Sequence, residues 1–281
     1  MNKNCAKPSW LALAGGGLRP GHFTQDLIAL AKCAHTILVD TYTMPGSAWL
    51  YEALRKLAGD RVRPARRSDL EGGIERIVSE ALERRVLVVV PGDPLIATTH
   101  RALLEEAKRA EAQTILVPGI SGVCAAKTVT GLDYYKYGRV VTLPGPWRMV
   151  KPYSVLEYIY GNLCLGLHTL VLLDIDPSTG QQLDPCRGLQ DLLVLEQELR
   201  SGILGKASKI LVERAQHSGE RVSRLVCPLG RPLREPASIV IPGRLARYEA
   251  EALSVLHNID DADNAGLQRV ACKLLDTISE P

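Results

Sequence analysis

Short, unbroken apolar runs punctuate the first half of the chain at residues 11–14, 36–39, 86–90 and 114–117, each followed by turn residues. Between them, apolar positions recur at helical spacing over residues 24–33, 48–57, 73–84 and 98–110. Runs without polar alternation predict strands covered on both faces, and the intervening period predicts helices. Such alternation is the pattern of βαβ units and a parallel sheet. Thr98 or Thr99 is the expected N-cap of the helix ending near residue 110.

The pattern changes at GRVVTLPGPWRMVKPYS, residues 138–154, whose Pro and Gly density predicts a boundary or hinge loop. Beyond it, strands are predicted at residues 169–173, 209–212, 225–227 and 238–241, with helices near 189–199 and 245–256. Their hairpin-like spacing suggests a mixed sheet. The expected fold is α/β, with a parallel-sheet domain over residues 1–142 and a mixed-sheet domain over residues 143–281. A ligand cleft is expected between the two domains.

Composition narrows the function classes. Of 281 residues, 46% are apolar and 23% charged, as in a globular protein, and the formal charge of +3 is spread along the chain. Nothing here predicts nucleic-acid binding. The seven cysteines are scattered and never spaced C-x-x-C, which predicts neither a disulfide framework nor a zinc site. The six histidines are equally dispersed, so no metal is expected. The N-terminal apolar run is too short for a signal peptide, and no stretch reaches the roughly 18 apolar residues of a membrane span. These features predict a cytoplasmic protein.

Three strand ends carry candidate chemistry. In LALAGGGLRPG, Gly15 and Gly17 have the G-x-G spacing, and Asp40 closes the next strand, as in a dinucleotide site. Pro20 stands where the third glycine belongs, so a turn capping a strand, or backbone open to another ligand, competes with that reading. In PGDPLIATTH, Pro91 and Pro94 fix two backbone angles, and Asp93 is presented at the carboxyl end of a strand. In VPGISG, Ser121 is either a helix N-cap or part of a loop with open donors. Three small-residue loops on one sheet edge favour a site. His168 and Asp174 flank the strand in GLHTLVLLDID, where a histidine reads first as structural. Lys136, Arg139, Arg148 and Lys151 read as surface charge before they read as a substrate clamp.

In their order these motifs resemble one family. The AGGGL turn, TYT, PGDPLIATTH, GLDYYKYG, GLHTLVLLDID, ERA and IPGRLARYEAE are similar to the diphthine synthases, within the tetrapyrrole-methylase-like (class III) methyltransferases. The resemblance implies S-adenosylmethionine folded in the interdomain cleft, with contacts at Leu18, Asp93, Ile96, Ser121, Gly122, Leu173 and Ala215. A last contact falls at Ala237, where relatives can carry a histidine and only backbone contact could persist here. The implied reaction is methylation of the amino group of 3-amino-3-carboxypropyl-histidine on translation elongation factor 2. In archaeal-type enzymes it is repeated until the amine is quaternary. A homodimer is also implied.

Methyl transfer from a sulfonium needs positioning and dehydration more than a protein nucleophile. A dedicated base is optional, because desolvation beside a cation lowers an amine's pKa. No catalytic residue is therefore assigned, and His100 and Tyr137 are candidates only as orienting groups. Two alternatives stay open: a methyltransferase acting on a corrin-type macrocycle, and a non-enzymatic nucleotide-binding module built on the G-x-G turn and Asp40.

Overall fold

A computed structural model describes residues 3–279. They form two compact units, one running up to Cys124 and the other from Ala125 onward.

In the first unit, β1 (Trp10–Gly15), α1 (Gln25–Cys33), β2 (Thr36–Asp40), α2 (Ala48–Ala58) and β3 (Val62–Ala65) are followed by the short α3 (Arg67–Leu70). Then come α4 (Ile74–Glu83), β4 (Arg85–Val90), α5 (Arg101–Arg109), β5 (Thr114–Val117) and α6 (Gly122–Thr128), which crosses into the second unit. The sheet order is β3-β2-β4-β1-β5, and every pairing is parallel. The apolar runs are unbroken because both faces are covered. Trp10, Ala12, Leu87 and Val89 pack on Leu27, Leu30, Leu50 and Leu54 of α1 and α2. Leu11, Leu13, Val86 and Val88 pack on Ile77, Val78 and Leu103 of α4 and α5. Each buried Leu, Ile or Val among them contributes about 1.5–3 kcal/mol by leaving water.

The sequence missed β3, whose VRPA segment carries a proline and two exposed positions. It lies at the sheet edge, where a missing N–H does no harm. The N-cap of α5 is His100, not a threonine. Thr98 instead hydrogen-bonds the His100 ring, and the Thr99 hydroxyl donates to Glu71 Oε1 (2.9 Å).

The second unit contains β6 (Val141–Leu143), α7 (Tyr153–Cys164), β7 (Thr169–Leu173), α8 (Pro185–Leu199) and the short α9 (Ile203–Lys206). It continues with β8 (Ile210–Glu213), β9 (Arg221–Arg224), β10 (Ala237–Ile241), α10 (Arg247–His257) and α11 (Ala265–Ser279). Its sheet is mixed, in the order β6-β7-β10-β8-β9, with β6 parallel to β7 and the other pairs antiparallel. The predicted strand at 225–227 lies just past β9. Residues 138–154 hold β6 as well as a loop.

The sequence places the domain boundary at 142/143, whereas the fold groups residues from Ala125 with the second unit. The cause is a set of contacts that tie Asp133 and Lys136 to Glu249 of α10.

The cysteine expectation is overturned. Disulfides join Cys5 to Cys33, Cys164 to Cys272 and Cys186 to Cys227, while Cys124 forms none. Separations of 28, 108 and 41 residues give no spacing signal, because each pair meets only through packing. Among the described residues, no helix is long and apolar enough to cross a membrane.

Candidate functional site

The carboxyl ends of β1, β4 and β5 converge without side chains between them. A Cβ on Gly119 would lie 2.2 Å from the Gly92 carbonyl oxygen and 2.8 Å from the Gly15 Cα. Gly17 and Gly92 exchange two backbone hydrogen bonds of 3.1 and 2.8 Å. Gly92 sits at φ +77°, a conformation that other residues adopt only with strain. The stiffness of PGDP is therefore reinforced by pairing, and Asp93 braces it further. Its Oδ2 accepts from Gly119 N–H (3.1 Å) and its Oδ1 from Leu95 N–H (2.9 Å).

Four of the five expected cofactor contacts of this unit gather here. Leu18 is buried, and its Cδ2 is 3.7 Å from where a Gly122 Cβ would stand. Met44, from a segment the sequence reading did not single out, reaches within 3.6 Å of the corresponding points on Gly92 and Gly122. Ser121 is buried, and its hydroxyl accepts from Val123 N–H (3.1 Å), so it does cap α6. Asp93 joins the group through Gly119. Ile96 stands apart on the exposed tip of the loop.

The far end of that loop is anchored by a buried polar cluster. His100 Nε2 lies 3.3 Å from Asp40 Oδ2, and both side chains are almost wholly buried. Asp40 also accepts from the N–H groups of Tyr42 (2.8 Å) and Thr43 (3.1 Å) and from the Thr43 hydroxyl (2.6 Å). Asp40 is thus occupied within TYT, with no geometry left for a ribose.

The expected contacts of the second unit share one edge of its sheet. Leu173 ends β7, Ala237 begins β10 beside it, and Ala215 follows β8, where Arg214 N–H donates to the Pro236 carbonyl (2.8 Å). Gln182, which carried no sequence signal, joins the first two. Its Nε2 donates to the carbonyls of Ala237 (2.9 Å) and Leu173 (3.4 Å), and its Oε1 accepts from Ala237 N–H (2.7 Å). Next to Leu173, the Asp174 carboxylate accepts from Trp147 Nε1 (2.8 Å), Gly145 N–H (3.2 Å) and Arg148 Nε and Nη2 (2.8 and 3.0 Å). Partial burial opposes its charge, but Arg148 and the N–H donors outweigh this and hold its pKa below the usual range.

The strings GLDYYKYG, GLHTL and ARYEAE resolve into one buried network. Glu249 accepts from His168 Nε2 (2.8 Å), Asp133 N–H (2.9 Å), Ala246 N–H (2.7 Å) and the Lys136 ammonium. Burial alone would raise its pKa, yet these donors lower it to about 2. Burial lowers that of His168, whose Nδ1 accepts from Gly243 N–H (2.9 Å). His168 is a satisfied structural residue. Tyr137 packs edge-on against it at 5.3 Å, and burial raises the phenol's pKa.

A parallel sheet with glycine-built strand ends, followed by a mixed sheet, defines a class. The profile of the tetrapyrrole (corrin/porphyrin) methylases matches residues 11–184, and the chain belongs to that family. Within it the chain is a methyltransferase of the diphthine synthase type. The diphthine synthase of Aeropyrum pernix is 44% identical over 218 residues, covering 75% of this chain and 74% of that protein. The crystal structure of a conserved hypothetical protein from Aeropyrum pernix K1 has a TM-score of 0.87 at 38% identity, covering 98% of this chain and 100% of the other. A crystal structure of diphthine synthase has a TM-score of 0.74 at 26% identity, covering 92% and 99%.

Proposed function

We propose that the protein uses S-adenosylmethionine to methylate the amino group of 3-amino-3-carboxypropyl-histidine on translation elongation factor 2, repeating the step until the amine is quaternary. The observation that carries this reading is the convergence of Leu18, Asp93, Ser121 and Gly122 on the side-chain-free junction of three strands. The residues fit the cofactor. Only glycine keeps the junction closed, and the edge offers apolar Leu18 and Met44 beside the Asp93 carboxylate and the Ser121 hydroxyl, a mixture suited to a nucleoside with a charged tail.

Leu18, Asp93, Ile96, Ser121 and Gly122 would hold the cofactor on the first unit, and Leu173, Ala215 and Ala237 on the second. When bound, it supplies a methyl group on a sulfonium leaving group. Asp93 fixes the loop through its two N–H acceptances, and His100 fixes the loop's end through Asp40. Both act as orienting groups, as does buried Tyr137. The amine gives up one proton for each methyl gained while it still carries one, and dehydration lowers the cost of that loss.

The protein is proposed to be cytoplasmic and a homodimer. The test is titration calorimetry with S-adenosylhomocysteine, with NADH and a corrinoid as controls. One site per chain at micromolar Kd, about −8 kcal/mol, is the expected result. Heat with NADH or the corrinoid alone would overturn the reading.

A further inference from the structure

A cavity of about 500 Å³ opens at the carboxyl ends of β6 and β7, lined in part by Thr142, Arg148, Lys151, Ser154 and Asp174. This volume lies within the range of small-molecule sites, roughly 300–1,000 Å³. Its place in the sheet gives it meaning. Leu143 of β6 pairs with Leu173 of β7, so the cavity adjoins the edge on which Leu173 and Ala237 stand.

The cations of this region differ in what already holds them. Lys136 is taken by buried Glu249, and the Arg139 guanidinium lies 3.7 Å from the Tyr158 ring centroid. Arg148 is bound through two nitrogens to Asp174, which also holds Gly145 and Trp147. That arrangement makes Arg148 a strut for the loop. Lys151 pairs instead with Glu198 at 3.1 Å, both side chains being largely exposed, at 66% and 46%. An exposed pair of this kind is worth little and exchanges readily. Lys151 is therefore the cation of this group that can turn to a ligand in the cavity at small cost, and Thr142 and Ser154 also line it.

We propose that this cavity receives the carboxylate-bearing arm of the modified histidine, with Lys151, Thr142 and Ser154 meeting its carboxylate while the Arg148–Asp174 pair keeps the loop in shape. The proposal rests on the methyltransferase reading above and names a substrate subsite for it. Lysine suits the task as a compact charge with three donors, and a carboxylate settling in this wide, largely open cavity can be held by such partners.

The experiment compares Lys151→Gln, Lys151→Arg and Thr142→Val with the wild type. Three quantities are read: calorimetric affinity for S-adenosylhomocysteine, steady-state constants with arm-bearing elongation factor, and affinity for elongation factor lacking the arm. Lys151→Gln should raise KM for the arm-bearing factor at least tenfold, and Lys151→Arg should recover part of that loss. Cofactor-product affinity and affinity for the unmodified factor should stay within twofold. Thr142→Val should raise KM about threefold. An unchanged KM in both Lys151→Gln and Thr142→Val overturns the subsite. Equal weakening of modified and unmodified factor also overturns it, because Lys151 would then serve the protein surface and not the arm. If the wild type binds no S-adenosylhomocysteine, the methyltransferase reading fails first and the subsite falls with it.

Discussion

Gly15, Gly92 and Gly119 bring three strand ends of the first unit into direct backbone contact, braced by Asp93, whereas the second unit adds a larger set of side-chain joints to backbone bonds such as that from Arg214 N–H to Pro236. Gln182 bridges Leu173 and Ala237, Asp174 holds the loop after β6, and Glu249 gathers segments far apart in the chain. A backbone joint leaves no room for even a methyl group, so it should fail abruptly. A side-chain joint can be weakened by degrees, through charge, length or a single donor. The fold thus fixes one edge by close approach and tunes the other by chemistry.

Reduction should have the largest effect and should fall unevenly on the two units. Two of the three disulfides lie in the second unit and close separations of 108 and 41 residues, against 28 for the one in the first. Chain entropy assigns each about 2–4 kcal/mol, with more for the longer loops. Calorimetric scans with and without reductant should show the second unit's transition falling further. An equal fall of both would mean that the side-chain-built unit does not depend on its cross-links more than the other.

Removing the Glu249 charge comes next. Glu249→Gln should cost about 3 kcal/mol, since the wholly buried side chain loses the charge that holds its His168, Asp133 and Ala246 donors and the partly exposed Lys136 ammonium. The pH dependence has a definite sign. The depressed pKa of Glu249 gives stability that is present above the usual 4.5 and is lost as pH falls through about 2. The lowered pKa of buried His168 means that the unfolded chain takes up its proton first, so stability also declines as pH drops below 6.5. Urea midpoints measured from pH 7 to pH 2 should fall in both ranges, and the lower one should flatten in Glu249→Gln.

The abruptness of the first edge is tested by two glycines three residues apart. In Gly119→Ala the new Cβ meets backbone at 2.2 Å, whereas in Gly122→Ala it meets nothing nearer than a side-chain atom at 3.6 Å. Overpacking against immovable backbone should cost Gly119→Ala about 3 kcal/mol, and Gly122→Ala should stay within about 0.5 kcal/mol. Equal stability by denaturant titration would mean that the strand ends can part, and the contrast between the edges would fail.

The same contrast governs how much of the molecule the sequence disclosed. The first edge was legible because its parts sit in compact strings, AGGGL, PGDP and PGISG, each directly after an apolar run. The second edge was legible only through family likeness. Gln182 reaches Ala237 across 55 residues, and Glu249 reaches Lys136 across 113, distances over which no pattern survives. The cysteines failed for the same reason. Strand β3 was hidden by Pro64, and β6 by the prolines and glycines of the loop it opens. Helix α7 was passed over within and beyond that loop, and its unusually buried face, with Tyr160 and Asn162 among the buried positions, blurs the helical alternation.

Gln182→Ala should show the smallest effect and the most informative one. Loss of the amide leaves one N–H and two carbonyls at a partly exposed edge where water can replace it, so the cost should be about 1 kcal/mol. If Leu173 and Ala237 present their backbone to the cofactor, a comparable loss should appear as roughly fivefold weaker S-adenosylhomocysteine binding. Gln182→Glu separates donor from shape. It keeps the length and an acceptor for Ala237 N–H, but it sets a carboxylate against two carbonyl oxygens, and it should bind more weakly than Gln182→Ala. Calorimetry on the three proteins decides the matter. Unchanged affinity in both variants would mean that the second edge holds its geometry without this joint, and that the contrast between the edges stops short of the cofactor.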